Sequence, residues 1–428
     1  MSDGLTDGGA DDLEAYRTAA RAWLSAHLGP GDPSGVLRSQ GAASPAQLAR
    51  DRALQKQVYE AGYLGIAIPA EYGGQGLTSR HFRVWREEAA GYAVPAPGGI
   101  ASRVTLGVVL PTILAHGSEV QKHEWIPRML SGDEIWVQLL SEPGAGSDLA
   151  GVLTRATRDG DVWVINGNKI WSSGAMSADY GICLARTDWD APKHRGLTWF
   201  KVPLHDGRVT VRPVREINGG AEFCEEFLDD VPVGDDMVIG EVNAGWPIAN
   251  TMFAFERGGG SDQLPMPGSG GGGLAPDLVA LATARGTTQL GSIRQLIARA
   301  HINDFMQAQL TKRLAGAIVS GRADAAAASY IKLGLGILDP LRAGAAMEVA
   351  GRTGIAWPPG PAGAGDEPGR TAAINFLNGR IYSIAGGSNQ IQRNIISERL
   401  LGLPREPSVD ADKPFREVLR DARAWGIT

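Results

Sequence analysis

Apolar residues recur at helical spacing through the first third of the chain. In DLEAYRTAARAWLSAHL (12–28) they share one face, and Asp12 and Glu14 sit at the start, where a helix dipole favours negative charge. SPAQLARDRALQKQVYEAG opens with Ser44 and Pro45, a capping residue followed by a first-turn proline. HFRVWREEAAGYA and RVTLGVVLPTILAHG continue the pattern. An α-helical domain is therefore expected over residues 12–134, preceded by a flexible tail at 1–11.

Near Glu134 the period shortens. DVWVINGNKIW, DYGICLART, GLTWFKVPL, RVTVRPVREI and AEFCEEFLDDV read as short strands, and Asn166-Gly167 predicts a hairpin turn. A small β-barrel or sandwich is expected over 135–245. From Trp246 the helical texture returns. Ile293, Ile297, Ile302, Phe305, Leu310, Leu314 and Ile318 fit one face of a long helix. Further helices are expected around 324–350, 370–384 and from Asn389, giving a four-helix bundle over 246–406. The Gly-rich run 258–276 reads as a flexible loop, and 407–428 as a C-terminal tail. The expected class is α+β multidomain: an all-α N-terminal domain, a central β domain and a C-terminal bundle.

Composition narrows the function classes. The 428-residue chain is 43% hydrophobic and 21% charged, with a net charge of −6, which gives no reason to expect nucleic acid as a partner. Cys183 and Cys224 form no CxxC pair and are expected to pack in the β domain of a protein from a reducing compartment. The acidic, Gly-rich N-terminus is unlike a signal peptide, and no run reaches the roughly 20 apolar residues of a membrane span. A cytoplasmic location is expected. The seven histidines show no paired metal spacing.

Three stretches carry chemistry. In LLSEPGAGSDLAG (139–151) Gly144 and Gly146 permit close backbone approach, among Ser141, Ser147 and Asp148. Such a loop either cradles phosphate or a flavin edge, or is a turn-rich connection. In KIWSSGAMS, Trp171 suits either stacking on a planar cofactor or core packing. In YSIAGGSNQIQR the chain offers Ala385, Gly386 and Gly387, with no side chain able to accept a proton.

Together with IPAEYGGQGL, LAHGSEVQKHEWIPRMLSGDEIWVQLLSEPG and GGSNQIQRNIISERLLGLPRE, these segments resemble the acyl-CoA dehydrogenase family over residues 12 to 406. The resemblance implies the three-domain architecture above, FAD held between subunits, an acyl-CoA thioester substrate and an electron-transfer flavoprotein as electron acceptor. It also implies an oligomer: a dimer or tetramer of this chain, or a hetero-oligomer with a related subunit. Residue by residue, it places Leu139, Ser141, Gly146 and Ser147 along the flavin and its pyrophosphate. Trp171 would lie against the isoalloxazine with Ser173 near N5, and Ser388 and Gln390 would also reach FAD. Ser147, Arg257 and Gly387 would meet the substrate, and the Gly386 amide would point at the thioester carbonyl.

α,β-Dehydrogenation also needs a carboxylate to remove the α proton. Many family members carry a Glu where this chain has Gly386. A second group carries the base in a Glu-Arg pair on the first bundle helix, and NTMFAFERGGG supplies Glu256 and Arg257 there. Glu256 is therefore the expected base, against the alternative of a solvated helical glutamate. Glu142 is expected to be structural, and Glu398 with Arg399 to form a helical or bundle ion pair. The chain departs from the family in lacking an Arg-x-x-Phe-Gly motif. Arg294 or Arg299 is a candidate substitute, while Glu348 and Arg352 stand where an uncharged adenosine-side pair is common. The open glycine wall at 385–387 leaves room for a bulky or branched acyl group. A flavin oxidase or monooxygenase on the same fold, and a non-catalytic subunit of a hetero-oligomer, remain the alternatives.

Overall fold

The computed structural model describes residues 10–31, 44–96, 99–256, 276–356, 368–408 and 410–424. The N-terminal helices form as their apolar spacing predicts: α1 (Ala10–His27), α2 (Pro45–Glu60) and α3 (Ser79–Ala89). They bury Ala20, Leu24, Val58, Phe82 and Trp85 in a common core. Ser44 Oγ accepts from the Gln47 amide at 3.2 Å, so the predicted cap starts α2 with Pro45 in its first turn. α4 (Ile100–Val104) runs into α5 (Leu110–His116) through a π-helical turn, Thr105–Val109. The widened turn shifts the helix face at that point, a feature common near functional sites. α6 (Glu119–Ser131) closes this layer behind a Ser118/Gln121 capping box.

Among the described residues eight strands form one sheet: β1 (Trp136–Leu139), β2 (Arg155–Asp159), β3 (Val162–Ser173), β4 (Tyr180–Arg186), β5 (Leu197–Pro203), β6 (Val209–Pro213), β7 (Phe223–Gly234) and β8 (Val238–Ile239). They pair in the order β6-β7-β3-β2-β4-β5-β8, with β1 added parallel to β4. β4 is buried on both faces. Ile182 and Leu184 pack toward the helical domain, while Cys183 and Ala185 face the β interior. That explains its unbroken apolar run. Cys183 and Cys224 are both free thiols in the β core, as expected.

Asn166-Gly167 is not a hairpin. β3 runs straight through it, and the chain reverses instead at Gly160, φ +57°, between Asp159 and Val162. Pairing with β7 overrides the local turn preference and absorbs it as a register shift between Ile165 and Gly167. The Asn166 amide nitrogen donates to Asp230 Oδ1 across that shift, 2.9 Å.

α7 (Gly245–Glu256) is seated in the N-terminal core by Ile248, Ala249 and Met252, and Thr251 Oγ1 lies 2.8 Å from His116 Nε2 on α5. α8 (Pro276–Ala284), α9 (Gly291–Val319), α10 (Ala328–Ala350), α11 (Arg352–Ile355), α12 (Pro368–Asn378) and α13 (Asn389–Ile395) build the C-terminal domain. Their core holds Leu278, Leu281, Ile293, Ile297 and Val349. The apolar face expected along α9 is buried only at its start. Ile302, Phe305 and Met306 are 54%, 58% and 62% exposed. The stretch after 406, expected as a tail, contains α14 (Phe415–Ala424), docked on the β domain. The Phe415 amide donates to Ala191 O, and the Arg186 guanidinium lies 3.7 Å from the Phe415 ring centroid. Among the described residues no helix is long and apolar enough to cross a membrane.

Candidate active site

The Ser141–Asp148 loop is pinned from beneath by a buried ion pair. Lys169 on β3 is fully buried, and its Nζ donates to Glu142 Oε1 and to Leu140 O, each at 2.9 Å. Glu142 also accepts from the Leu153 and Thr154 amides at 2.6 and 2.9 Å. Burial pushes its carboxyl up, but Lys169 and these donors more than offset that and hold it below its ordinary value. Glu142 is thus structural, as expected. Above it Gly144, Gly146 and Ser147 are exposed, and a methyl group on either glycine would meet nothing within 4 Å. The backbone there is open to a ligand. Leu139 requires correction as a cofactor contact. Strand alternation turns its side chain into the β core, where it packs on Gly181 and is fully buried. It supports the loop from behind.

Ser141 O accepts from the Ile170 amide at 2.9 Å, which ties this loop to the end of β3. There the β3–β7 register shifts between Ile170 and Ser172, leaving Trp171 unpaired at φ +71° and 56% exposed. A tryptophan in the left-handed region carries strain of order 1 kcal/mol or more. Its one ring contact among the described residues is Phe223, edge-on at 5.9 Å. Core packing does not account for an exposed, strained tryptophan. Ser173 is half-buried beside it, and the next residue, Gly174, donates its amide to Glu222 O at 2.8 Å.

Behind Trp171, Ser172 Oγ donates to Glu226 Oε2 at 2.8 Å, and Glu226 is fully buried, its Oε1 without a partner among the described residues. Burial pushes the Glu226 carboxyl up to about 8. The folded chain therefore keeps a proton that the unfolded carboxyl releases above its ordinary value of 4.5. Stability from this group is present below that value and is lost as pH rises through about 8. Glu226→Gln is expected to flatten the decline, removing up to about 1.4 kcal/mol per pH unit across the window. Paired urea unfolding of both proteins at pH 5, 6, 7 and 8 measures it; parallel pH profiles would overturn it.

The C-terminal half of the site is built on two left-handed glycines, Gly386 at φ +66° and Gly387 at φ +89°. Gln392 Nε2 donates to both of their carbonyls, at 3.2 and 3.3 Å. The Gly386 amide takes no acceptor among the described residues. A methyl group added to Gly386 would lie 3.2 Å from Glu256 Oε1 and 3.2 Å from Lys332 Cε. The half-buried Glu256 carboxylate thus borders the volume a side chain at 386 would occupy. Lys332, on α10, also donates to Tyr382 O at 2.6 Å. Ser388 caps α13, its Oγ accepting from the Ile391 amide at 3.3 Å and keeping its own proton to donate. Gln390 is exposed on the first turn.

Three titratable residues that no motif marks influence one another's charge: Arg103 on α4, Glu222 before β7 and Tyr382 before the glycine pair. Arg103 feels the charges of Tyr382 and Glu222, and Tyr382 feels those of Asp339, Arg103 and Glu222. No spacing signals such a cluster. Asn218 Nδ2 donates to Asn378 Oδ1 at 2.7 Å, joining the same β-domain loop to α12. Arg294, Arg299, Glu348 and Arg352 are all exposed. Glu398 pairs with Arg405 at 3.1 Å rather than with Arg399, because neighbours in a helix point apart. Arg257 and residues 258–275 of the Gly-rich run lie outside the described residues.

Known proteins match this chain along nearly its whole length. The acyl-CoA dehydrogenase N-terminal, middle and C-terminal domain models match residues 10–133, 138–231 and 243–401 in turn. Acyl-CoA dehydrogenase IpdE1 of Mycobacterium tuberculosis (strain ATCC 25618 / H37Rv) is 35% identical over 404 residues, covering 92% of this chain and 99% of the relative. Acyl-CoA dehydrogenase FadE34 of the same organism is 37% identical over 374 residues and 86% of this chain, and the match spans 49% of that relative's length. The solved structure of the Tcur3481-Tcur3483 steroid ACAD superposes with a TM-score of 0.73 at 29% identity, covering 93% of this chain and 99% of that one. The chain belongs to the acyl-CoA dehydrogenase family.

Proposed function

We propose that this chain, with FAD bound, dehydrogenates the α,β bond of an acyl-CoA thioester bearing a bulky acyl group, with Glu256 as the base. The observation that carries this reading is the Glu256 carboxylate beside Gly386, with Oε1 3.2 Å from the position of a 386 side chain. A base arriving from α7 there reaches the same space as one carried at 386. The exposed Trp171 and the open backbone at Gly144 and Gly146 fit a flat, phosphate-bearing cofactor. Ser141, Gly146, Ser147, Ser173, Ser388 and Gln390 are the polar groups and backbone assigned to it.

When bound, the flavin supplies the hydride acceptor. The protein's own residues do the rest. Glu256 takes the α proton, and the Gly386 amide donates to the thioester carbonyl, which steadies the negative charge that builds on that oxygen. Ser147 and Gly387 border the thioester. Glycines at 386 and 387 keep this wall free of side chains, which favours a wide acyl group. The steroid for which the solved relative is named is such a group.

The exposed apolar positions on α9, with Leu341 of α10 at 58% exposure, suit burial against another subunit of this fold. An electron-transfer flavoprotein is the proposed electron acceptor. Anaerobic titration of the purified yellow protein with acyl-CoAs of increasing bulk tests the function. Flavin bleaching is expected with bulky cyclic thioesters and weakly with short straight chains. Absence of bleaching with every thioester would overturn the reading.

A further inference from the structure

Resting on that reading, the sheet behind Trp171 also bears on how an exposed tryptophan is held in place. On β7, Cys224, Glu226 and Leu228 alternate onto the buried face. Cys224 and Leu228 belong to the apolar β core, so an apolar residue would be expected between them. On β3 the matching buried positions are Lys169 and Ser172, three residues apart instead of two. The register accounts for the difference. Lys169 stands opposite Glu226 and Ser172 opposite Cys224, with Trp171 the extra residue between Ile170 and Ser172. Regular pairing would turn Trp171 inward, on the face of Lys169. The bulge turns it out, and Ser172 takes the inward place.

Inside that core Ser172 Oγ donates to Glu226 Oε2 at 2.8 Å. Lys169 does not compete for the carboxyl, because its ammonium is committed to Glu142 Oε1 and Leu140 O. The Glu226 carbonyl accepts from the Asn168 side-chain amide at 3.2 Å, a second tie between the strands. Burial pushes the Glu226 carboxyl up to about 8, so at neutral pH the pair is a hydroxyl and a carboxylic acid. Such a pair contributes little to stability over two well-packed apolar side chains. What it supplies is register, since a buried polar group is satisfied in one alignment and stranded in the others. Slipping β3 by one residue would strand both groups and set an indole against the carboxyl.

We propose that Ser172 and Glu226 are positioning residues, a register lock that fixes the bulge at Trp171 and so holds the indole toward the flavin. The Ser172 hydroxyl is spent inside the sheet, and neither side chain touches cofactor or substrate in the proposed site. Both act through Trp171, whose strained backbone at φ +71° relaxes unless the residue after it is held.

The test uses the full-length yellow protein and replaces the pair by apolar side chains, Ser172→Ala with Glu226→Met. The thermal midpoint is expected to stay at or above that of the wild type. Amide hydrogen exchange in the peptide spanning 168–174 should nevertheless quicken by on the order of tenfold, with the rest of the sheet unchanged. Fluorescence of the bound flavin should rise as the indole stops quenching it, and kcat should fall by on the order of tenfold. Glu226→Gln keeps an acceptor for Ser172 and should hold kcat within about threefold of wild type. In a Trp171→Ala background the pair replacement should change kcat by less than about twofold, because its effect runs through the indole. Wild-type exchange and flavin fluorescence in the pair variant would overturn the lock. So would a full second loss of activity in the Trp171→Ala background, or a lowered midpoint with faster exchange across the whole sheet, which marks a merely structural pair. If no thioester bleaches even the wild type, the dehydrogenase reading falls, while exchange and flavin fluorescence still decide the lock.

Discussion

Glu256→Gln is expected to lower kcat by roughly 10²- to 10⁴-fold, the usual contribution of a positioned general base, while leaving the protein yellow and its thermal midpoint unchanged. The amide keeps the shape of the carboxylate and loses only its basicity. The cleanest readout is exchange of the substrate α proton with deuterated solvent, which should vanish along with flavin bleaching. Glu256→Asp draws the carboxylate back by one methylene and should lose an intermediate amount, because proton transfer depends on reach. The reverse experiment separates geometry from chemistry. Gly386→Glu places a side chain where Glu256 Oε1 and Lys332 Cε are each 3.2 Å away, on a backbone at φ +66°. Even combined with Glu256→Gly, that change should restore little activity, since the left-handed backbone strains any side chain placed there. Turnover of Glu256→Gln within tenfold of wild type would move the base elsewhere.

The three-domain layout was legible because each domain keeps one hydrophobic period. Helical spacing ends near Ser131 and resumes at Gly245. Where local signals failed, a distant partner decided the outcome. Asn166-Gly167 carries a strong turn signal, but β7 pairs along both sides of it and turns it into a bulge. The stripe on α9 has the spacing of a core face, yet among the described residues Ile302, Phe305 and Leu310 stay exposed. Spacing reports that a face is apolar and says nothing about which chain buries it.

The site divides the same way. Trp171, Ser173 and Gly386 stand in short motifs and could be named from them, whereas the strain on Trp171 follows from the β3–β7 register and has no sequence signature. Lys332, Arg103, Glu222 and Tyr382 come from four separate elements. Only the packing of α10 on the turn before Gly386 joins Lys332 to Tyr382 and to the glycine wall.

Lys169→Met is expected to destabilise the protein by about 3–5 kcal/mol and to release much of the flavin, although Lys169 touches neither cofactor nor substrate in the proposed site. Its ammonium is fully buried between Glu142 Oε1 and Leu140 O. Removing it leaves the Glu142 charge buried with only the Leu153 and Thr154 amides as donors. The loss of an ion-pair partner in such a place exceeds what the pair itself contributes, because the remaining charge still lacks water. The loop at 141–148 then loses the contact that presents Gly144, Gly146 and Ser147 outward. The companion variant Lys169→Met/Glu142→Gln removes the stranded charge and should recover part of the stability, roughly 1–3 kcal/mol, without recovering flavin binding to the same degree. Chemical unfolding together with the ratio of visible flavin absorbance to protein gives both quantities from one preparation. A Lys169→Met protein within about 1 kcal/mol of wild type with its flavin retained would show that the pair neither holds the loop nor shapes the cofactor face.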